Sequence, residues 1–153
     1  MPDILTTILP APEQLTTVVP PASITTTLVN GQGPAGTSTR PAYTTSAALS
    51  GHQVIALNAS GLAYYASADD LSTAFRVVGI STGAAGSGAS ITVQDKDVMT
   101  HGGWSWTPGN LVYLGLNGVL TDTVPVSAAF ILVMGKALSS TSMLVGIQPP
   151  IAL

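Results

Sequence analysis

Two histidines, two tryptophans and a few aspartates are the residues of this chain with the most chemistry in them. His52 and His101 are its only imidazoles, and a Ser/His/Asp arrangement needs one of them as a base held against a nucleophile. His52 follows Ser50-Gly51, His101 precedes Gly102-Gly103, and neither lies in a G-x-S-x-G context. Both read as surface or interface hydrogen-bonding groups. Metal binding fails on spacing and ligand type. There is no cysteine, no histidine pair at helical spacing, and Asp95-Lys96-Asp97 lacks the Gly and final Glu of a calcium loop. The Gly-rich stretch 83–88 precedes a strand pattern, whereas a phosphate cradle needs a helix N-terminus; it reads as a mobile hairpin loop. Paired carboxylates for glycoside cleavage would have to come from Asp69, Asp70, Asp95, Asp97 and Asp122, because the one glutamate is Glu13. The expectation is therefore no enzyme, no cofactor and no metal.

Trp104 and Trp106 share one face of a Trp-Ser-Trp-Thr-Pro-Gly stretch. Two indoles on one face can hold a sugar ring, or pin a core or an inter-subunit contact. Nothing charged clusters around them, which favours packing. They are the candidate oligomer or ligand face.

The elements that must position these residues are short strands. From Leu49 onward, β runs separated by Gly and Asn turns are expected near 53–57, 62–66, 76–81, 89–94, 98–100, 111–114, 119–121, 130–138 and 143–148. Asn58-Ala-Ser-Gly61 offers a four-residue connection, and Asn117-Gly118 is the preferred pair for a tight hairpin. One short helix is expected from Ser67 to about Phe75, with Ser67 as its cap and Asp69 and Asp70 at its positive end. Tyr64 and Tyr65 point to opposite faces of a strand, so one of them at most is expected in a core. The domain also repeats itself. Segment 54–65 lines up with 112–121, and 77–94 with 133–148. Gly61 to Gly79 is eighteen residues and Gly118 to Gly135 seventeen. The fold expected is all-β, a small β-barrel or β-sandwich spanning 47–153.

Before it runs a different kind of sequence. Residues 1–45 hold eleven Thr and seven Pro but only three charges, Asp3, Glu13 and Arg40. The prolines exclude a long helix, so residues 1–46 are expected to form an extended arm. A disordered linker has low hydrophobicity and high charge. This stretch instead carries the apolar residues Ile4, Leu5, Ile8, Leu9, Val18, Val19, Ile24 and Leu28. Such an arm calls for a surface to lie on. The C-terminal Gln148-Pro149-Pro150-Ile151-Ala152-Leu153 is either a second strap or a chain end folded over its own domain.

Composition agrees with a protein that buries surface in contacts. Charged residues make up 7 % of the 153, against about 25 % in ordinary soluble proteins, and the net charge is −3. The four basic residues are scattered, so no nucleic-acid partner is expected. The longest apolar run, 128–135, is too short to span a membrane, and the N-terminal residues do not read as a signal peptide. Synthesis in a cytoplasm is expected.

Four segments carry a family resemblance: LSGHQVIALNASGLAYYAS (49–67), RVVGISTGAAGSGASITVQ (76–94), GWSWTPGNLVYLGLNGVLT (103–121) and VGIQPPIAL (145–153). They lie within residues 49–153, a span of roughly two thirds of the chain. In them the chain resembles tailed-bacteriophage capsid decoration proteins, also described as cement or head-fibre proteins. Relatives often carry collagen-like Gly-Pro-x triplets ahead of this domain. Here only Gly33-Pro34-Ala35-Gly36 corresponds, which favours a capsid-hugging arm over a fibrous stalk. The resemblance implies a non-enzymatic, trimeric virion protein on a phage head, assembled in the host cytoplasm, with the major capsid protein and itself as partners. The alternative is a phage fibre or tail component that binds cell-surface glycan through Trp104 and Trp106.

Overall fold

The chain divides into Met1–Thr39 and Arg40–Leu153. The computed structural model describes residues 40–153, together with two strands of the preceding segment, β1 (Thr7–Ile8) and β2 (Leu15–Thr16), which pair antiparallel. Of the apolar arm residues, Ile8 lies in β1. Ile4, Leu5, Leu9, Val18, Val19, Ile24 and Leu28 lie outside the described residues.

The second unit is all-β, and it begins at Arg40 rather than at residue 47. Its first strand, β3 (Ala42–Thr44), falls inside the arm expected over residues 1–46, where flanking Thr and Pro give no strand signal. Next come β4 (Val54–Leu57), β5 (Ala63–Tyr65), β6 (Val77–Ser81) and β7 (Ser90–Gln94). They form one antiparallel sheet in the order β3-β7-β6-β4-β5. Thr45, just past β3, bridges Ala63 on β5, and Ser46 N–H donates to Ala63 O at 2.9 Å. These links join the two edges of the sheet, so the first half is a small barrel. Leu49, Ile55, Ala63, Ile91 and Val93 fill it, with Leu57 and Tyr65 packed alongside.

The second sheet has the order β10-β9-β12-β13-β8, built from β8 (Lys96–Thr100), β9 (Leu111–Leu114), β10 (Leu120–Thr121), β12 (Val133–Ala137) and β13 (Ser142–Gly146). Written from the equivalent edge it reads β8-β13-β12-β9-β10, which is the path of β3-β7-β6-β4-β5. The two halves are thus one motif used twice. The hydrogen bonds repeat as well. His52 N–H donates to Ser81 O at 2.8 Å and Gly109 N–H to Ala137 O at 2.8 Å. Ser81 N–H donates to Gln53 O at 2.8 Å and Ala137 N–H to Asn110 O at 2.9 Å. Register corrects the sequence alignment by one position. Val54 pairs with Ile80 as Leu111 pairs with Lys136, so the counterpart of Val54 is Leu111 and not Val112.

A glycine holds the same place in each half. Gly79 (φ +151°) and Gly135 (φ +157°) sit opposite Ile55 and Val112, where the pairing slips by one residue. A Cβ on Gly79 would lie 2.7 Å from the carbonyl oxygen of Gln94; one on Gly135 would collide with the carbonyl oxygen of Leu144. Only glycine combines this φ with so close an approach. Gly135→Ala is expected to lower the unfolding free energy by about 3 kcal/mol, read as a shifted urea midpoint. Gly146→Ala, where a Cβ meets nothing within 4 Å, should change it by less than about 1 kcal/mol.

The halves pack through a second core. The outer residues of the first sheet, Val54, Ala56, Ala66 and Ile80, join a cluster with Val112, Leu114, Leu120, Met134, Met143 and Val145 from the inner side of the second. The first sheet is therefore buried on both faces, and β4 reads as a continuous apolar run, Val-Ile-Ala-Leu. The second sheet is buried on one face, and β9 alternates in burial. This explains the tyrosines. Tyr64 packs on the shared core and Tyr65 on the barrel core, so each faces a core.

Three local expectations change. The helix expected from Ser67 is a 3-10 turn over Leu71–Thr73, capped by the Asp70 side chain accepting from Ser72 N–H. The segment offers no apolar stripe to lay down a longer helix: Ala74 is buried and Phe75 exposed. The single strand expected over 130–138 breaks at the buried Leu132 into β11 (Phe130–Ile131) and β12. The C-terminus folds on its own domain: β14 (Ile151–Ala152) pairs with β11, and Leu153 N–H donates to Ala129 O at 3.1 Å. The Asn117-Gly118 turn forms with both residues at positive φ, +51° and +79°.

Candidate functional site

The two histidines meet the two tryptophans at the junction of the repeats. His52 stands in the loop leading into β4, at φ +60°. Its backbone is held by Ser81, whose hydroxyl donates to Ser50 O at 2.9 Å and accepts from Gln53 N–H at 3.0 Å. His101 follows β8, and its N–H donates to Thr141 O at 2.9 Å. A tight turn then carries the chain to Trp104, whose N–H donates to His101 O at 3.2 Å. Gly103 inside that turn leaves room for the imidazole: a Cβ there would lie 2.7 Å from His101 Nε2. The segment is pinned further by Trp106 N–H to Ser140 O at 3.0 Å and Thr107 N–H to Asp122 Oδ2 at 3.0 Å.

The rings form two stacked pairs that meet edge-on. The imidazoles of His52 and His101 lie 4.0 Å apart at 17°. Trp104 meets both edge-on, at 5.8 Å and 5.4 Å, and stacks on Trp106 at 4.1 Å and 24°. Trp106 is 7 % exposed and belongs to the shared core. It is the counterpart of Leu49, which plugs the first barrel and whose N–H donates to Ala85 O at 2.8 Å. Trp104 is half-buried against the same core. So the tryptophans come together, but one face of each is spent on the other and Trp106 sits inside the protein. That leaves no two-ring platform for a sugar.

The histidine pair was invisible in the sequence, where each residue stood alone in its own loop. Only folding of the repeats brings them together. Among the described residues no hydrogen bond ties either imidazole to a hydroxyl or carboxylate, and no group of three metal-ligating side chains forms. The Gly-rich loop expected to be mobile is tied down by paired Leu49 and Ala85 backbone bonds at 2.8 Å each. What the cluster can do is pack rings and respond to protons.

Burial first, and the neighbouring His101 second, push the His52 imidazole below its ordinary value of 6.5. The unfolded chain then takes up a proton more readily than the folded one. Stability is full above 6.5 and falls as the pH drops from 6.5 to the lowered folded value. Asn tolerates the positive φ at this position, so His52→Asn is expected to flatten that loss. Urea midpoints taken at about pH 7.5 and about pH 5 check it: the gap between them should be smaller in the variant. An equal gap would remove His52 from the acid response.

No protein-family model matches the chain, and a search of curated proteins finds no match either.

Proposed function

We propose that this chain is a structural protein of a tailed-phage virion. It binds the outside of the head, ties neighbouring major capsid proteins together with its N-terminal arm, and does so as a homotrimer of β-domains without enzymatic activity. The reading rests on the resemblance in residues 49–67, 76–94, 103–121 and 145–153, on a charged fraction of 7 %, and on a β unit whose histidines and tryptophans are used in ring packing.

The observation that carries it is where the packed unit begins. Among the described residues both core clusters are built from Tyr43 onward, and the compact unit starts at Arg40. On this reading Ile4, Leu5, Ile8, Leu9, Val18, Val19, Ile24 and Leu28 of the preceding segment fill apolar grooves of a partner. An extended segment can also add strands to exposed sheet edges. Co-sedimentation of the purified chain with undecorated heads tests the reading. Pelleting with the heads supports it, and recovery of all the protein in the supernatant refutes it.

A further inference from the structure

We propose that His52 and His101 form an acid-sensitive latch between the two β halves, which opens locally when both imidazoles carry a proton. The inference is independent of what the chain binds. His52 comes from the first half, in the loop leading into β4, and His101 from the second, just past β8. Their rings lie 4.0 Å apart and nearly parallel, at 17°. Each residue is half-buried, so protons reach both. Trp104 meets the two rings edge-on and stacks on Trp106, which lies in the shared core. A change at the pair therefore passes directly to the packing that joins the halves.

The surrounding backbone is shaped to present both rings. His52 N–H donates to Ser81 O as Gly109 N–H donates to Ala137 O, so His52 and Gly109 hold the same place in their halves. Both have positive φ, +60° and +93°, a conformation glycine adopts freely and other residues seldom do. The second half uses glycine there, whereas the first sets an imidazole in its place. Across the seam, Gly103 leaves out a side chain: a Cβ would lie 2.7 Å from His101 Nε2. One half thus holds a strained backbone to present its imidazole, and the other clears space to seat its own.

The elements around the pair, among the described residues, bring no carboxylate to it. Segments 49–57, 82–94, 101–107 and 137–143 contain no Asp, Glu, Lys or Arg. β8 carries Lys96 and Asp97 at its end away from His101, with Asp95 just before them. Asp122 turns to the tryptophan segment, where its Oδ2 accepts from Thr107 N–H at 3.0 Å. One proton leaves a cation stacked on a neutral ring. Two protons set like charges face to face, and they repel. Burial, and then His101, already hold the His52 imidazole below its ordinary 6.5. The open form binds more protons than the closed one, so the latch is shut above 6.5 and opens as the pH falls below it. Neither histidine lies in a strand, so both sheets stay paired while the seam opens.

The test is the solvent access of the tryptophans in the full chain, read by acrylamide quenching of their fluorescence; Trp104 and Trp106 are the only two. Between about pH 7.5 and about pH 5 the quenching constant is expected to rise about twofold, with far-UV circular dichroism unchanged. His52→Asn and His101→Gln should each give a constant that no longer depends on pH, because a lone imidazolium has no like charge to repel it. Hydrogen exchange of the wild-type chain, corrected for the intrinsic effect of pH, supplies the answer if a variant does not fold. Protection should fall at 50–53 and 101–107 and persist in β6 and β12. A wild-type constant indifferent to pH, a rise that survives in either folded variant, or protection lost uniformly across the sheets overturns the inference.

Discussion

Replacing Trp106 by Ala should lower the unfolding free energy by about 4 kcal/mol, the upper part of the range for removing a large aromatic from a core. Trp106 is packed with Val112, Leu114, Met143 and their neighbours in the cluster the two halves share. The hole would open at the place in the second half that corresponds to Leu49 in the first, and the Ser140 and Thr107 anchors on either side of it limit how far the chain can collapse to fill it. Trp104→Ala removes a half-buried ring and should cost about 2 kcal/mol. Guanidinium or urea unfolding of both variants checks the order. A cost below about 1 kcal/mol for Trp106→Ala would mean that the ring does not belong to the core. The comparison bears on function, because a recognition residue is lost from binding and not from stability. The expected pattern, with stability falling first, assigns the pair to architecture.

Removing residues 1–39 is expected to leave a folded β unit that no longer pellets with phage heads. The two halves of the experiment follow from different physics. Folding should survive because Arg40–Leu153 forms its own compact unit. Binding should fail because the apolar residues proposed to reach a partner lie in the deleted part. Ordering an extended arm costs about 1–2 kcal/mol of backbone entropy per residue, so one arm holds weakly for its length. Several arms in one oligomer compensate through effective concentration, and removal of all of them abolishes binding instead of merely weakening it. Far-UV circular dichroism and co-sedimentation read the two outcomes. A longer deletion, of residues 1–46, should behave differently. It takes away β3 and the Thr45 bridge to Ala63, opens the first barrel, and should lower the melting temperature. Full binding by the 1–39 deletion would move the capsid contact to the β unit.

Much of the fold was legible because short strands between Gly and Asn turns leave a local mark. Segment 111–114 is β9 to the residue, and the glycine spacing exposed the repeat that the sheet order bears out. Where the reading failed, the deciding contact was distant. Ala42–Thr44 looked like arm until β7 was found beside it. Ile151–Ala152 follows two prolines and is a strand only because β11 receives it. The repeat register was off by one because Val54 and Val112 look alike, whereas their burial contexts differ: β4 is covered on both faces and β9 on one. The tryptophan pair was legible from its spacing. The histidine pair was not, since nothing in one loop announces the other.

The proposed arm and the duplicated β unit combine into one proposal, that this chain is a surface component of a phage head. Electron cryo-microscopy of virions made by the genome that encodes it tests that claim most directly. The account predicts density for the β unit on the outer surface of the head, in symmetric clusters, with residues 1–39 running over adjacent major capsid proteins. Virions whose heads lack the chain, or that carry it only at the tail, would contradict it.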